Sequence, residues 1–300
     1  MNLSNFGASL RSLQGHLGSL MAQGSSASEA SAASRVEAKI SLRNVSRSYS
    51  REKGEPVAAL QDIHLAVTPG EFLCIVGPSG CGKSTLLHMI AGLDKPSAGE
   101  ILLNGRAVQE PGPDRILIFQ DLGLFPWLTV LENVEFGMRM KGAKKDEMQA
   151  RARRYLNLVH LSQFEDSYIH QLSGGMRQRV ALARALAIQP DVLLMDEPFA
   201  ALDAQTRDRL HDELERIWSE TGQTIIFVTH NVREAARLGD RIVVLTFRPG
   251  RIKTEIRSDL PRPRHMEDPH VVQVAGQVMD ELRGEIDRSL ESEFQSEKNP

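Results

Sequence analysis

An apolar run at 72–76 ends directly in Gly77-Pro78-Ser79-Gly80-Cys81-Gly82-Lys83-Ser84-Thr85, and a helical pattern carried by Leu86, Leu87 and Ile90 follows. This strand–loop–helix order constrains the fold more than any other stretch of the chain. Gly77 to Ser84 fit the spacing G-x-x-x-x-G-K-[ST] in the strand-to-helix context that its mechanism demands. Glycines let the backbone bend so that successive N–H groups point into one concavity, which suits anions. The start of the following helix adds the positive end of its dipole. Cys81 contributes its backbone to such a loop, and its thiol is expected to stay open to alkylation when the loop holds no ligand.

Four more short apolar runs, at 116–119, 192–195, 225–228 and 242–245, suit strands covered on both faces, as in parallel sheets. Strand-like runs at 38–42 and 63–67 precede the glycine loop. A charged, helix-rich stretch occupies roughly 130–190. This order predicts an α/β core with an inserted helical part, present once, since no internal repeat is visible. Asp196 ends the 192–195 run and Glu197 follows it, so two carboxylates stand at the edge of a buried strand. Alone, an Asp-Glu pair is an ordinary solvated strand end. Beside a phosphate loop it reads differently. Lys83 is then expected to reach the β- and γ-phosphates of a nucleotide, and Ser84 and Asp196 to hold Mg²⁺. Glu197 is placed to activate an attacking water as general base.

The 300 residues can bury a substantial core, and 41% hydrophobic with 25% charged residues is ordinary for a globular protein. A formal net charge of -3 gives no general attraction to nucleic acid or anionic lipid. No stretch approaches the ~18 apolar residues of a membrane-spanning helix, and the N-terminus does not read as a secretory signal. Cys74 and Cys81 are too few for a disulfide framework, which favours a reducing compartment. Residues 1–35 form an extension rich in Ser, Ala and Gly, helical or disordered. Within it Leu3, Phe6, Leu10, Leu13, Leu17 and Leu20 share one helical face, consistent with either a fraying tail or a docking helix. Near the other end, Pro261-Arg262-Pro263-Arg264 reads as a linker, and the pattern from Val271 to Leu290 as an amphipathic helix packed on its own domain.

Leu172-Ser173-Gly174-Gly175-Met176 opens a second helix with a Ser-Gly-Gly turn, a second anion-binding helix start about ninety residues beyond the first. With Arg177-Gln178-Arg179-Val180-Ala181-Leu182-Ala183-Arg184-Ala185-Leu186 after it, this segment resembles the signature of the ABC ATPases. The resemblance covers roughly residues 36–265. It implies a P-loop NTPase core of the RecA-like kind, with an N-terminal antiparallel β subdomain, a helical subdomain at about 125–190 and a helical tail at 266–300. It also implies roles for single residues. Gln120 contacts Mg²⁺ and links the site to the helical subdomain, Asp203 communicates across a dimer, His230 contacts the γ-phosphate, and Tyr49 stacks on adenine. The family's cassettes face head to tail, each ATP held between one chain's phosphate loop and the other's 173–175 turn.

Within that family, Arg248-Pro249-Gly250-Arg251-Ile252, Asp259-Leu260-Pro261-Arg262-Pro263 and Pro111-Gly112-Pro113-Asp114-Arg115 resemble the nitrate/sulfonate/taurine importer ATPases. The resemblance implies ATP and Mg²⁺ as cofactors and a second copy of the chain, an integral membrane permease and, indirectly, a solute-binding protein as partners, with no nucleic acid. It places the chain peripherally on the cytoplasmic face of the inner membrane. Phe125-Pro126-Trp127 suits a permease-docking surface or a small satellite core. The rival readings are a soluble ABC ATPase without a transport role and an exporter ATPase. One cassette, two cysteines and the absence of a heptad run between the motifs all weigh against the soluble type.

Overall fold

The computed structural model describes residues 38–50 and 55–298. The apolar face from Leu3 to Leu20 lies outside them.

Two sheets pack around the helix that follows the glycine loop. The larger has the order β10-β9-β3-β8-β7-β6 and the smaller β2-β1-β4-β5. In the larger sheet β3 (Phe72–Val76), β6 (Arg115–Ile118), β7 (Val192–Asp196), β8 (Thr224–Val228) and β9 (Arg241–Leu245) run parallel, and β10 (Ile252–Arg257) closes one edge antiparallel to β9. Every residue of β3 and β8 is buried. The period of two along a strand explains why. Phe72, Cys74 and Val76 face one cluster, together with Ile225 and Phe227 of β8 and Leu193 and Met195 of β7. Leu73 and Ile75 face the other, together with Ile226, Val228, Val192 and Leu194. A strand covered on both faces cannot alternate apolar with polar, so its sequence is apolar apart from its ends, such as Thr224 at the start of β8.

The smaller sheet is antiparallel and comprises β1 (Ile40–Tyr49), β2 (Val57–Val67), β4 (Ala98–Leu103) and β5 (Arg106–Ala107). Its inner residues Ile40, Leu42, Val45, Ile63 and Leu65 pack on the second cluster with Leu86 and Leu87 of α1 (Lys83–Ala91). The expected α/β architecture, with its antiparallel part and inserted helices, is therefore present. The strands β4, β5 and β10 were not expected from the sequence.

The helical part contains α2 (Val130–Met140), α3 (Lys145–Leu158) and α4 (Gly174–Ala187). A capping box starts α2: Glu132 N donates to Thr129 Oγ1 and Thr129 N to the Glu132 carboxylate. Asn133, fully buried, donates to the carbonyls of Phe125, Leu128 and Thr129 and accepts from Phe125 N. One amide thus fixes the whole 125–129 loop. Then come α5 (Ala204–Thr221), α6 (Val232–Leu238) and α7 (Pro269–Lys298). Val271, Ala275, Val278 and Leu282 of α7 are buried in the first cluster, as its amphipathic pattern predicts.

The segment read as a linker is instead a tightly held strap. Arg264 is 2% exposed and donates to the carbonyls of Gly239, Ser258 and Leu260. Arg262 pairs with Glu215 and Asp240 and lies 4.3 Å over the Trp218 ring. Five-donor guanidiniums fold these prolines down onto the domain. Among the described residues no helix is long and apolar enough to cross a membrane.

Candidate active site

The loops that leave β3, β6, β7, β8 and β9 emerge together, at the carboxyl edge of the parallel strands, where open α/β sheets bind ligands. A cavity of ≈500 Å³ lies there, lined by Ser79, Gly80, Gly82, Lys83, Ser84 and Thr85 of the loop, by Tyr49, Val57 and Ala59 of the antiparallel sheet, and by Glu197 and Arg248. Its size is that of a small-molecule site.

The loop turns into α1 at Gly82, with φ 102° and no side-chain cap. A Cβ there would lie 2.8 Å from Leu60 Cδ2 and 3.0 Å from Ala59 O, so both conformation and space require glycine. The uncapped first-turn N–H groups are free to bind an anion. Lys83 is 7% exposed, and its Nζ donates to Gly77 O and Pro78 O, each at 3.0 Å. Among the described residues no carboxylate is paired with it. A buried ammonium answered only by carbonyls fits an anionic ligand such as a polyphosphate.

Cys81 corrects an expectation. Its side chain is fully buried in the second cluster, facing away from the cavity, and burial pushes its thiol pKa up. Alkylation needs an exposed thiolate. In the native protein Cys81 is expected to react with maleimide no faster than the equally buried Cys74, and both to label promptly in denaturant. Fast native labelling at Cys81 alone would show that the loop opens.

Asp196 closes β7 half-buried; burial raises its pKa, while a hydrogen bond from Ser84 opposes the rise and the neighbouring Glu197 adds to it. An oxygen pair of hydroxyl and crowded carboxylate fits a hard divalent cation. Glu197 has φ 45°, a left-handed conformation that costs about 1–3 kcal/mol outside glycine. It is held there by its N–H donating to Val228 O at 3.0 Å. Its Oε2 is 3.0 Å from His230 Nδ1 across the sheet edge. Tyr49 lines the cavity with its hydroxyl donating to Asp94 and the Arg47 guanidinium 4.5 Å over its ring.

The other expected residues lie elsewhere. Ser173 caps α4, accepting from Met176 N, and Gly174 opens a separate ≈300 Å³ depression shared with Gln120 and Leu202. Gly175 is buried there, and a Cβ would come within 2.7 Å of Thr206 on α5. Asp203 caps α5, and the N–H of Thr206 holds its carboxyl below the usual range. Within one chain, therefore, the two anion-binding helix starts open on different depressions.

Arg248 was not expected in the site. Its Nε donates to Gly80 O at 2.9 Å, and its side chain walls the cavity. The loop after β9 had to emerge beside the glycine loop, because β9 is a parallel neighbour of β3. The sequence marked Arg248 only as part of the 248–252 segment and gave no sign of its place in the site.

A glycine loop between a buried strand and an uncapped helix, with a carboxylate pair and a histidine at the same sheet edge, defines a nucleotide-binding P-loop protein. The comparisons narrow the class. The sequence matches the ABC transporter family over residues 60–200. It is 49% identical over 256 residues to an uncharacterized ABC transporter ATP-binding protein of Methanocaldococcus jannaschii, covering 85% of this chain and 96% of that one. A taurine import ATP-binding protein of Jannaschia sp. is 48% identical over 218 residues, 73% of this chain and 81% of its own length. The fold matches the dimeric post-hydrolysis state of an ATP-binding cassette bound to ADP and Pi, with a TM-score of 0.64 and 36% identity, over 73% of this chain and 98% of that one. The chain belongs to the ABC transporter family, as an ATP-binding subunit that hydrolyses ATP.

Proposed function

We propose that two copies of this chain close around ATP and drive import of a small solute through a separate membrane permease. One observation carries the reading: the Lys83 loop and the Ser173 helix start face different depressions in one chain. A second copy placing its 173–175 turn over the first copy's cavity completes each site, and the dimeric cassette with 36% identity supports that arrangement.

Tyr49 then takes the adenine ring, and the backbone from Gly77 to Thr85 cradles the phosphates with Lys83. Ser84 and Asp196 are the residues that would hold Mg²⁺, and Gln120, which follows β6 and lines the neighbouring depression, would be the further ligand. When bound, the cation neutralises charge on the phosphate oxygens. Glu197 takes a proton from the attacking water, and His230, 3.0 Å away, keeps that carboxylate oriented and contacts the terminal phosphate. Asp203, exposed at the start of α5, meets the second copy. Gln120 borders both the β6 edge and the Gly174 depression, so it is placed to pass the state of the site to the helical part.

The permease face is the 125–129 loop. Phe125 turns inward, 4.3 Å from the Phe136 ring, while Trp127 is 70% exposed on a loop that Asn133 holds rigid. A large aromatic kept exposed on a fixed loop suits a docking anchor. The chain would thus sit peripherally at the cytoplasmic face of the membrane. A solute-binding protein on the other side delivers a solute of the nitrate, sulfonate or taurine kind, in line with the taurine-import relative.

The test is a mild-detergent pull-down of the tagged full chain from native membranes, followed by uptake of nitrate, taurine and alkanesulfonates in cells lacking the chain. A polytopic permease is expected, with one uptake activity lost. Recovery of soluble partners alone would overturn the transport reading. Trp127→Ala is expected to weaken permease recovery by about 2 kcal/mol, roughly 30-fold, with the ATPase rate of the isolated chain unchanged. Undiminished recovery would move the docking face elsewhere.

A further inference from the structure

Behind the His230–Glu197 pair lies a buried charged group that the proposed chemistry does not use. Glu234, in the first turn of α6, is 5% exposed. One of its oxygens accepts from the Thr229 hydroxyl at 2.5 Å, and Thr229 Oγ1 in turn accepts from Asn231 N at 2.9 Å. These bonds bracket His230 on both sides. The other oxygen faces His211 Nε2 at 3.3 Å and Arg207 Nε at 3.6 Å, both on α5. Burial works against the Glu234 charge, but contact with His211, Thr229 and Arg207 outweighs it and holds the carboxyl below its ordinary pKa.

The same partners grip the segment between Glu197 and Asp203. Arg207 donates to Phe199 O at 3.3 Å and to Leu202 O at 2.7 Å. His211, fully buried, meets the Phe199 ring edge-on with centroids 5.2 Å apart. A crevice of ≈20 Å³ between Glu197, Ala200, Thr229 and Glu234 is all that separates the pieces. Burying so many polar groups is unfavourable unless their geometry is fixed; the Thr229, Arg207 and Asn231 hydrogen bonds fix it, while His211 meets Glu234 at 3.3 Å without a hydrogen bond at either ring nitrogen.

We propose that Glu234 is a positioning residue for hydrolysis: through the Thr229 hydroxyl it holds His230 against Glu197, and through Arg207 it ties that pair to the Asp203 turn. The state of the dimer surface at Asp203 then reaches the hydrolytic pair along α5 within one chain. The inference rests on Glu197 and His230 acting as that pair.

Two substitutions separate hydrogen bonding from packing. Thr229→Val keeps the shape and removes the hydroxyl; Thr229→Ser keeps the hydroxyl and removes a methyl. With the full chain, Thr229→Val is expected to lower kcat at least tenfold, with KM for ATP and affinity for a fluorescent ATP analogue within twofold of the parent. Thr229→Ser is expected to retain at least half of the parent kcat. The opposite ranking, with Ser worse than Val, would show a packing role and overturn the first arm. For the second arm, Glu234→Gln keeps an acceptor for Thr229 but turns an N–H₂ toward Arg207. In a Glu197→Gln background it is expected to weaken ATP-driven dimerisation at least threefold by size-exclusion chromatography, and unchanged dimerisation would overturn that arm. Full turnover by Glu197→Gln alone would sink the underlying reading instead, so the two failures are distinguishable.

Discussion

Glu197→Gln is expected to lower ATP turnover by 10²-fold or more and to leave a dimer that persists while ATP is present. The substitution changes almost nothing except basicity. An amide has the carboxylate's shape, can hold the 3.0 Å contact to His230 Nδ1 in either tautomer, and leaves the backbone bond to Val228 O intact. It cannot take a proton from water, and general-base catalysis is worth roughly 10²–10⁴ in rate. Asp196 cannot replace it, because that carboxylate is half-buried and engaged by Ser84. Binding is a separate matter. In the proposed dimer the Lys83 loop and the 173–175 turn would retain every phosphate donor, so the nucleotide is expected still to bridge two chains. Size-exclusion chromatography with ATP is expected to show the dimer, and with ADP the monomer. Parent-like turnover would remove Glu197 from the chemistry, and a monomer with ATP would remove the shared site.

How much of this was legible in the sequence follows from which side of each residue the sequence reports. The strands β3, β7, β8 and β9 were legible because they are buried on both faces and so apolar along their length, with polar residues only at the ends, Asp196 of β7, Thr224 of β8 and Arg241 of β9. β10 alternates half-buried with exposed residues, Lys253, Glu255 and Arg257 pointing out, and on an edge that pattern resembles any polar loop. β4 opens with Ala98-Gly99-Glu100, all exposed, and gains its strand character only by pairing with β1. The loop motif fixed the backbone role of Cys81 and was silent about where its thiol points. Arg248, Arg262, Arg264 and Glu234 were illegible for a common reason. Their partners, from Gly80 to Gly239 and Thr229, depend on how the chain folds around them, and a long charged side chain reads as a solvated surface until its partner is known.

Lys83→Ala is expected to reduce ATP affinity about 10–100-fold and, with it, to erase the thermal stabilisation that ATP confers. The ammonium is held by Gly77 O and Pro78 O at 3.0 Å each, so it stands at the mouth of the loop already oriented and loses little freedom on meeting phosphate. Hydrogen bonds to charged groups contribute about 1.5–3 kcal/mol, and 1.4 kcal/mol is tenfold in affinity. Removing the ammonium has a second consequence, since the two carbonyls lose their donor in a site where Lys83 is only 7% exposed. The ligand-free variant is therefore expected to melt at a lower temperature than the parent, by the order of 1–3 kcal/mol for unsatisfied buried acceptors. The two effects separate by titration. At a hundred times the parent Kd, ATP stabilises the parent by about 2.7 kcal/mol; a variant whose Kd has risen a hundredfold keeps only about 0.4 kcal/mol at that concentration. A variant with the parent's full ATP-dependent shift would show that Lys83 braces the loop and does not bind the nucleotide. A variant that loses the shift without lowering the ligand-free melting temperature would show that the carbonyl contacts give way to water at no cost.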